Sequence, residues 1–147
     1  MKQLPETLPT IEHCQVITLD KHHHVNGNLT VVENQSPIPF DIRRVYYLYD
    51  IPGGESRGGH AHRSLQQMLV AISGSFDVVL DDGTQQRRIT LNRPYQGLLI
   101  VPGIWRVLEN FSSGAVCLCL ASEHYNEDDY IREYPDFLQY RNISSKS

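Results

Sequence analysis

Between Gln15 and Ser122 the chain is a succession of short runs rich in Val, Ile, Leu and Tyr, each cut off by Gly, Pro, Asn or Asp. The runs are QVITL (15–19), NLTVVE (28–33), RVYYLYDI (44–51), QMLVAI (67–72), SFDVVLDD (75–82), RRITL (87–91), GLLIVP (97–102), RVLENF (106–111) and AVCLCLAS (115–122). Runs of this length and composition read as β-strands. So many short strands, with almost no helical periodicity before residue 122, bury their apolar faces only by stacking into a sandwich or closing into a barrel. Asp82-Gly83 between two runs marks a hairpin, since both residues tolerate positive φ. Phe76, Val78 and Leu80 share one face and Asp77, Val79 and Asp81 the other; Val116, Leu118 and Leu120 repeat the pattern.

The tail EHYNEDDYIREYPDFLQY differs. Its acids come early, and Tyr130, Ile131, Tyr134, Phe137 and Leu138 have the spacing of one or two helical turns, interrupted by Pro135. A short C-terminal helix on an all-β body is therefore expected. At 147 residues the chain suits one domain, 1–147.

A net charge of −4 gives no general electrostatic case for nucleic acid or an anionic membrane. The start, MKQLPETLPTIEH, has no apolar segment of a secretory or transit signal, and no run is long enough to span a bilayer, so the expected location is the cytoplasm. In that setting the Asn-X-Ser/Thr sequons at Asn28, Asn34, Asn110 and Asn142 are chance matches. Cys14, Cys117 and Cys119 are an odd number for a disulfide framework and too few for zinc, and are assigned to packing. His22, His23 and His24 are consecutive, point in divergent directions and are assigned to an exposed turn.

The stretch GGESRGGHAHRSLQQ (53–67) carries His60 and His62. On a strand, residues two apart project from one face with Cα atoms about 6–7 Å apart. Both rings then look into the same space. Gly53, Gly54, Gly58 and Gly59 let the backbone turn and leave room beside the pair. The alternative, two structural histidines, is an odd way to fill a barrel.

This spacing resembles the first motif of the cupins: Gly54, five residues, His60-Ala61-His62, four residues, Gln67, six residues, Gly74. The family's metal-binding Glu is here Gln67. GLLIVPGIWRVLEN resembles the second motif with shortened spacing and places Arg106 in the slot of the ligand His. A divalent cation on two imidazoles wants anionic or imidazole partners, which a neutral amide and a permanent cation do not supply. No metal is expected. His60 and His62 are then free for proton transfer, for which an imidazole suits neutral pH.

RVYYLY, RGGHAH, GSFDVVLDDG, the Trp105 segment and SEHYNEDDYIREY together resemble the small cupins that are dTDP-4-oxo-6-deoxyglucose 3,4-ketoisomerases, over residues 28 to 140. The resemblance implies a cupin (RmlC-like) jelly-roll β-barrel with a short C-terminal helix. It implies an isomerase with no cofactor that moves the keto group of a dTDP-linked 4-oxo-6-deoxyhexose from C4 to C3 through an enediol or enediolate. It also implies His62 as base and His60 as its partner, with the order of the two open. Arg57 is the leading candidate for the diphosphate, followed by Arg44, Arg106 and Arg43. Tyr47 and Tyr49 share one face of their strand and Tyr46 the other; whichever face meets the cavity offers hydroxyls and rings, and Tyr47 and Tyr49 are taken as substrate contacts. Gln67 and Trp105, the latter as a wall beside Arg106, complete the expected substrate site. Related small cupins also imply a homodimer formed through N-terminal strands, with NLTVVE covering an open edge. The rival readings are a nucleotide-sugar 3,5-epimerase, a metal-dependent cupin oxygenase and a non-catalytic sugar-binding cupin.

Overall fold

The computed structural model describes residues 8–142. Fourteen strands and one α-helix follow one another. In chain order the strands are β1 (Gln15–Thr18), β2 (Asp20–His24), β3 (Gly27–Val31), β4 (Glu33–Asn34), β5 (Pro37–Ile38), β6 (Arg44–Leu48) and β7 (Arg57–His62). They continue with β8 (Gln67–Ser73), β9 (Phe76–Asp81), β10 (Gln86–Leu91), β11 (Gln96–Ile100), β12 (Trp105–Glu109), β13 (Val116–Ala121) and β14 (Tyr130–Ile131); helix α1 (Tyr134–Tyr140) closes the chain. Two five-stranded antiparallel sheets, β1-β11-β8-β13-β6 and β10-β9-β12-β7-β14, face each other as a jelly-roll sandwich.

Between the sheets lies the main core, with Leu69, Phe76, Val78, Leu80, Leu91, Leu98 and Leu108 among its buried residues. The alternation expected for β9 holds for its apolar side, while Asp77 and Asp81 on the other side are also buried, against neighbouring side chains. On β13 the inward residues are Cys117 and Cys119, which join the main core, whereas Leu118 and Leu120 pack on the opposite face with Met68, Val70 and Phe40. The expected parallel with β9 thus runs the other way, because segment 32–42 covers the outer side of this sheet and gives leucines an apolar home there. All three cysteines are free and buried.

The Asp82-Gly83 hairpin forms as expected, with a longer loop than two residues, and three further expectations need correction. The Asp82-Gly83 hairpin joins Asp81 to Gln86 by a four-residue loop in which Gly83 alone has positive φ (92°). Asp82 works instead through its carboxylate, which accepts from the amides of Thr84 (3.0 Å), Gln85 (2.8 Å) and Ile11 (3.1 Å). His22–His24 lie not in a turn but on β2, an exposed strand paired with β3, where His23 and Asn28 share a hydrogen bond of 2.6 Å. Pro135 does not interrupt the last helix; it sits in its first turn, where its missing N–H has no intrahelical partner to lose. Finally, residues 122–131 are not helical apart from a 3₁₀ turn at Glu127–Asp129, and the chain then enters β14. Of the start of the chain, residues 1–7 of the segment read for a signal lie outside the described residues. No helix among the described residues is long and apolar enough to cross a membrane.

Candidate active site

β7 was missing from the strand runs because its residues, RGGHAH, have no apolar pattern; pairing with β12 on one side and β14 on the other imposes the extended form. Its alternation turns His60 and His62 inward and Ala61 outward beneath Phe137 of α1. The two rings meet edge to face, centroids 4.8 Å apart. The glycines contribute differently from expectation. A Cβ on Gly53 or Gly54 would meet nothing, and one on Gly59 would meet Trp105 on the outer side, so they shape the turn, with Gly54 at φ +84°, without clearing space for a ligand.

Each histidine is fixed by a different partner. Asp129 Oδ2 lies 3.0 Å from His62 Nδ1. Burial works to raise the Asp129 carboxyl, but the Ser64 hydroxyl and amide and His62 hold it below its ordinary value, so the carboxylate accepts and the imidazole proton is on Nδ1. His62 Nε2 is left as a bare lone pair, shut off from solvent with no hydrogen-bond partner among the described residues. His60 Nε2 accepts from Arg106 Nε at 3.1 Å, which places the His60 proton on Nδ1. Burial, with the Arg106 charge behind it, pushes His60 down to about 2. For His62, burial and then Arg106 outweigh the Asp129 hydrogen bond and leave it at about 4. Both rings are neutral at pH 7.

Arg106, 3% exposed, also donates to Gln67 Oε1, and Gln67 Nε2 donates to the Tyr46 hydroxyl at 3.0 Å. Burial raises Tyr46, so its hydroxyl keeps its proton. Three of the four positions that match the metal ligands of the cupin motif, His60, Gln67 and Arg106, thus bond to one another through the guanidinium, while His62 bonds to Asp129. That donor set does not fit a divalent cation: Arg106 is cationic, and His60 Nε2 and His62 Nδ1 are already committed. Among the described residues no three His, Cys, Asp or Glu side chains converge as a metal site.

A cavity of about 360 Å³ opens between the sheets here; His60, Arg106, Tyr46, Arg44, Arg57 and Tyr130 are in its wall. His62 is one layer deeper, 4.4 Å from the Tyr130 ring. The structure therefore brings together His60, His62, Gln67, Arg106, Arg44 and Arg57. It leaves out Tyr47 and Tyr49. Arg44, Tyr46 and Leu48 share the inward face of β6, so Tyr47 and Tyr49 point away from the cavity, 59% and 60% exposed, against each other. Trp105 is also outside: neighbours on a strand face opposite ways, and with Arg106 inward, Trp105 packs outward on Tyr134 and Phe137. Arg43, just before β6, is exposed. Asp129, Tyr130 and Arg132 went unread as site residues, and Tyr46, on the face left open by the alternation of its strand, was passed over for Tyr47 and Tyr49. For Tyr46 a signal existed, since it shares strand parity with Arg44. Asp129 reaches His62 across 67 positions and left none.

These features can be set beside known proteins. The TDP-4-oxo-6-deoxy-α-D-glucose-3,4-oxoisomerase of Aneurinibacillus thermoaerophilus is 45% identical over 126 residues, 86% of this chain and 91% of that protein. The crystal structure of QdtA, a sugar 3,4-ketoisomerase from Thermoanaerobacterium thermosaccharolyticum in complex with TDP, superposes with a TM-score of 0.88 at 37% identity, covering 90% of this chain and 97% of QdtA. The rmlC epimerase of Mycobacterium tuberculosis matches at a TM-score of 0.72 and 15% identity over 88% of this chain and 72% of that one, a likeness of fold alone that marks the architecture as cupin-like. The family model FdtA (WxcM-like, C-terminal) matches residues 12–142, and the chain belongs to that family.

Proposed function

We propose that this protein is a sugar-nucleotide 3,4-ketoisomerase acting on TDP-4-oxo-6-deoxyglucose, with His62 as the base. The observation that carries the assignment of roles is the pair of opposite hydrogen bonds: Asp129 leaves His62 Nε2 free to accept a proton, while Arg106 occupies the Nε2 of His60. The C4 carbonyl acidifies the C3 hydrogen. His62 Nε2 removes it, the C3–H electrons form the C3–C4 double bond, and negative charge collects on the C4 oxygen. The imidazolium formed is stabilised by Asp129, as in other histidine–carboxylate pairs. His60 Nδ1–H, the Tyr46 hydroxyl and the Arg106 guanidinium are the donors that meet the developing oxyanion in a cavity where burial strengthens them. The C3 hydroxyl gives its proton to the C4 oxygen, the electrons of the C3–C4 double bond take the proton from the His62 imidazolium at C4, and the product has its carbonyl at C3 and a hydroxyl at C4. For the sugar to reach His62, the Tyr130 ring, which makes no hydrogen bond among the described residues, moves aside.

Incubation with TDP-4-oxo-6-deoxyglucose in deuterium oxide, followed by NMR of the product, tests this directly. The expected product carries its carbonyl at C3 and deuterium at C4; a retained C4 carbonyl with inversion at C3 and C5, or ligand binding without turnover, overturns it. The reading includes a cytoplasmic location and a homodimer. In support of the dimer, Leu29 on β3 and Val45, Tyr47 and Ile72 on the outer face of the first sheet are exposed. A monomer by light scattering at micromolar concentration overturns the dimer without touching the chemistry.

A further inference from the structure

Gln67 is 1% exposed and stands behind the cavity: its partners Arg106 and Tyr46 are in the wall, and it is not. Those partners assign the two ends of its amide. Arg106 can only donate, so Gln67 Oε1 faces it and Nε2 faces the other way. Nε2 gives its two hydrogens to the Tyr46 hydroxyl oxygen, at 3.0 Å, and to Cys119 Sγ, at 3.4 Å. Cys119 is directly opposite Tyr46 in the pairing of β13 with β6, which sets phenol and thiol side by side.

The Tyr46 hydroxyl has one hydrogen of its own, and burial keeps it there. Because its oxygen already accepts from Gln67, that hydrogen needs a different acceptor. The surrounding protein has only a weak one. The cavity wall has no carboxylate among the described residues, His60 Nε2 is taken by Arg106, and Gln67 Oε1 is turned to Arg106. His62 Nε2 bonds to nothing, and the Cys119 thiol, which burial keeps protonated, accepts poorly. The hydrogen is therefore left for an oxygen that enters the cavity.

We infer that Gln67 is a positioning residue of the isomerisation and not a substrate contact: its amide holds Arg106 through Oε1 and, through Nε2, turns the Tyr46 hydrogen toward the reacting sugar oxygen. This rests on the ketoisomerase reading above and moves Gln67 out of the substrate-binding role the sequence suggests. Two donors to the developing oxyanion are thus set in place before the charge forms. The inference also gives a reason for an amide where the cupin motif has a glutamate. A carboxylate there has no hydrogens to give, so it would accept from Arg106 and Tyr46 alike and draw the phenol hydrogen away from the sugar.

The test is Gln67→Glu, which keeps the shape and the bond to Arg106 and reverses the bond to Tyr46, beside Gln67→Met, which loses both bonds and redirects nothing. Turnover of TDP-4-oxo-6-deoxyglucose is measured for each in the otherwise unaltered protein and in Tyr46→Phe, with melting curves for the fold. Gln67→Glu is expected to lower kcat by about 100-fold with KM little changed, and Gln67→Met by about 10-fold. In Tyr46→Phe there is no hydrogen to redirect, and the same change to Glu is expected to cost less than about 10-fold. Full kcat in Gln67→Glu, or an equal loss in both backgrounds, overturns the inference and leaves the isomerase reading standing; the equal loss would mean that the carboxylate acts by neutralising Arg106. If Gln67→Glu does not fold, Gln67→Met decides by the same comparison: a loss that shrinks in Tyr46→Phe supports the role, and an equal loss overturns it. An unaltered protein that does not turn over the sugar overturns both readings.

Discussion

Two regions of the second sheet bury polar groups, one on each of its faces, and they are built on opposite principles. On the outer face, Asp77 accepts from Arg88 (2.9 Å), Thr90 (2.7 Å) and Asn110 (3.2 Å), and Asp81 accepts from Gln86 (3.1 Å), Tyr134 (2.8 Å) and the Gly83 amide (2.6 Å). Each carboxylate is surrounded by donors. On the inner face, cations gather without a carboxylate in the cavity wall, and among the described residues His62 Nε2 and, from the facing sheet, two nitrogens of Arg44 have no partner. A completed network lowers the free energy of the fold and offers nothing to a ligand. An incomplete one costs stability and holds its unused donors and acceptors for something that binds.

The comparison breaks first at His62. His62→Asn or His62→Ala is expected to reduce turnover by at least about a thousandfold, in line with removal of a general base, while the melting temperature and TDP affinity stay close to the unaltered values; undiminished catalysis refutes the role. Asp129→Asn comes next. An amide keeps the size of the side chain but can donate as well as accept, so the Nδ1 proton is no longer enforced, and kcat is expected to fall by about 10²–10⁴ with KM little changed. A merely structural Asp129 would instead show its effect in the melting curve and leave kcat alone.

The outer cluster predicts the reverse separation. Asp77→Ala removes the shared acceptor of three side chains and is expected to cost about 1–3 kcal/mol by denaturant unfolding, with kcat unaltered. Arg88→Ala, whose side chain is 53% exposed, is expected to cost clearly less than Asp77→Ala because water screens its ion pairs. Activity lost in either variant beyond its loss of folded protein would mean that the two faces are coupled.

How far these regions were legible in the amino-acid sequence follows from the range of the forces that make them. The sandwich was legible because period-two burial is written locally, as in Phe76, Val78 and Leu80. His60, His62, Gln67 and Arg106 were legible as a group because strand spacing places side chains two apart on one face and the motif spacing carried the rest. Facing was lost where an apolar run is buried on both sides, as on β13, and where the parity of β6 was set aside for Tyr47 and Tyr49 although Arg44 pointed to Tyr46. Asp129 and Tyr130 were hidden because β14 is two residues long and owes its conformation to β7; nothing local in NEDDYIRE distinguishes the carboxylate that orients a base from those that face water. The arginine excess in the cavity was visible only as composition until the fold showed which guanidiniums lack partners.

On catalysis the expected effect of pH is the smallest of all, and its sign on stability follows from the buried imidazoles. His62 in the folded protein sits at about 4 against an ordinary 6.5. Above 6.5 neither folded nor unfolded chain carries this proton, and the group contributes no pH dependence. As the pH falls from 6.5 toward 4, the unfolded chain takes up the proton and the folded one does not, so stability is lost across that window, by up to roughly 3 kcal/mol for a group displaced this far. His60, lower still, acts in the same direction. Catalysis by neutral His62 has no reason to change over the same window, so kcat/KM per folded molecule is expected to stay level from about pH 8 to about pH 5 while the melting temperature declines. An acid limb in kcat/KM with its midpoint near 6.5, at a pH where the protein is still fully folded, would show that the imidazole doing the chemistry is not the buried, Asp129-bonded one; the inner face would then lose the feature that sets it apart from the outer.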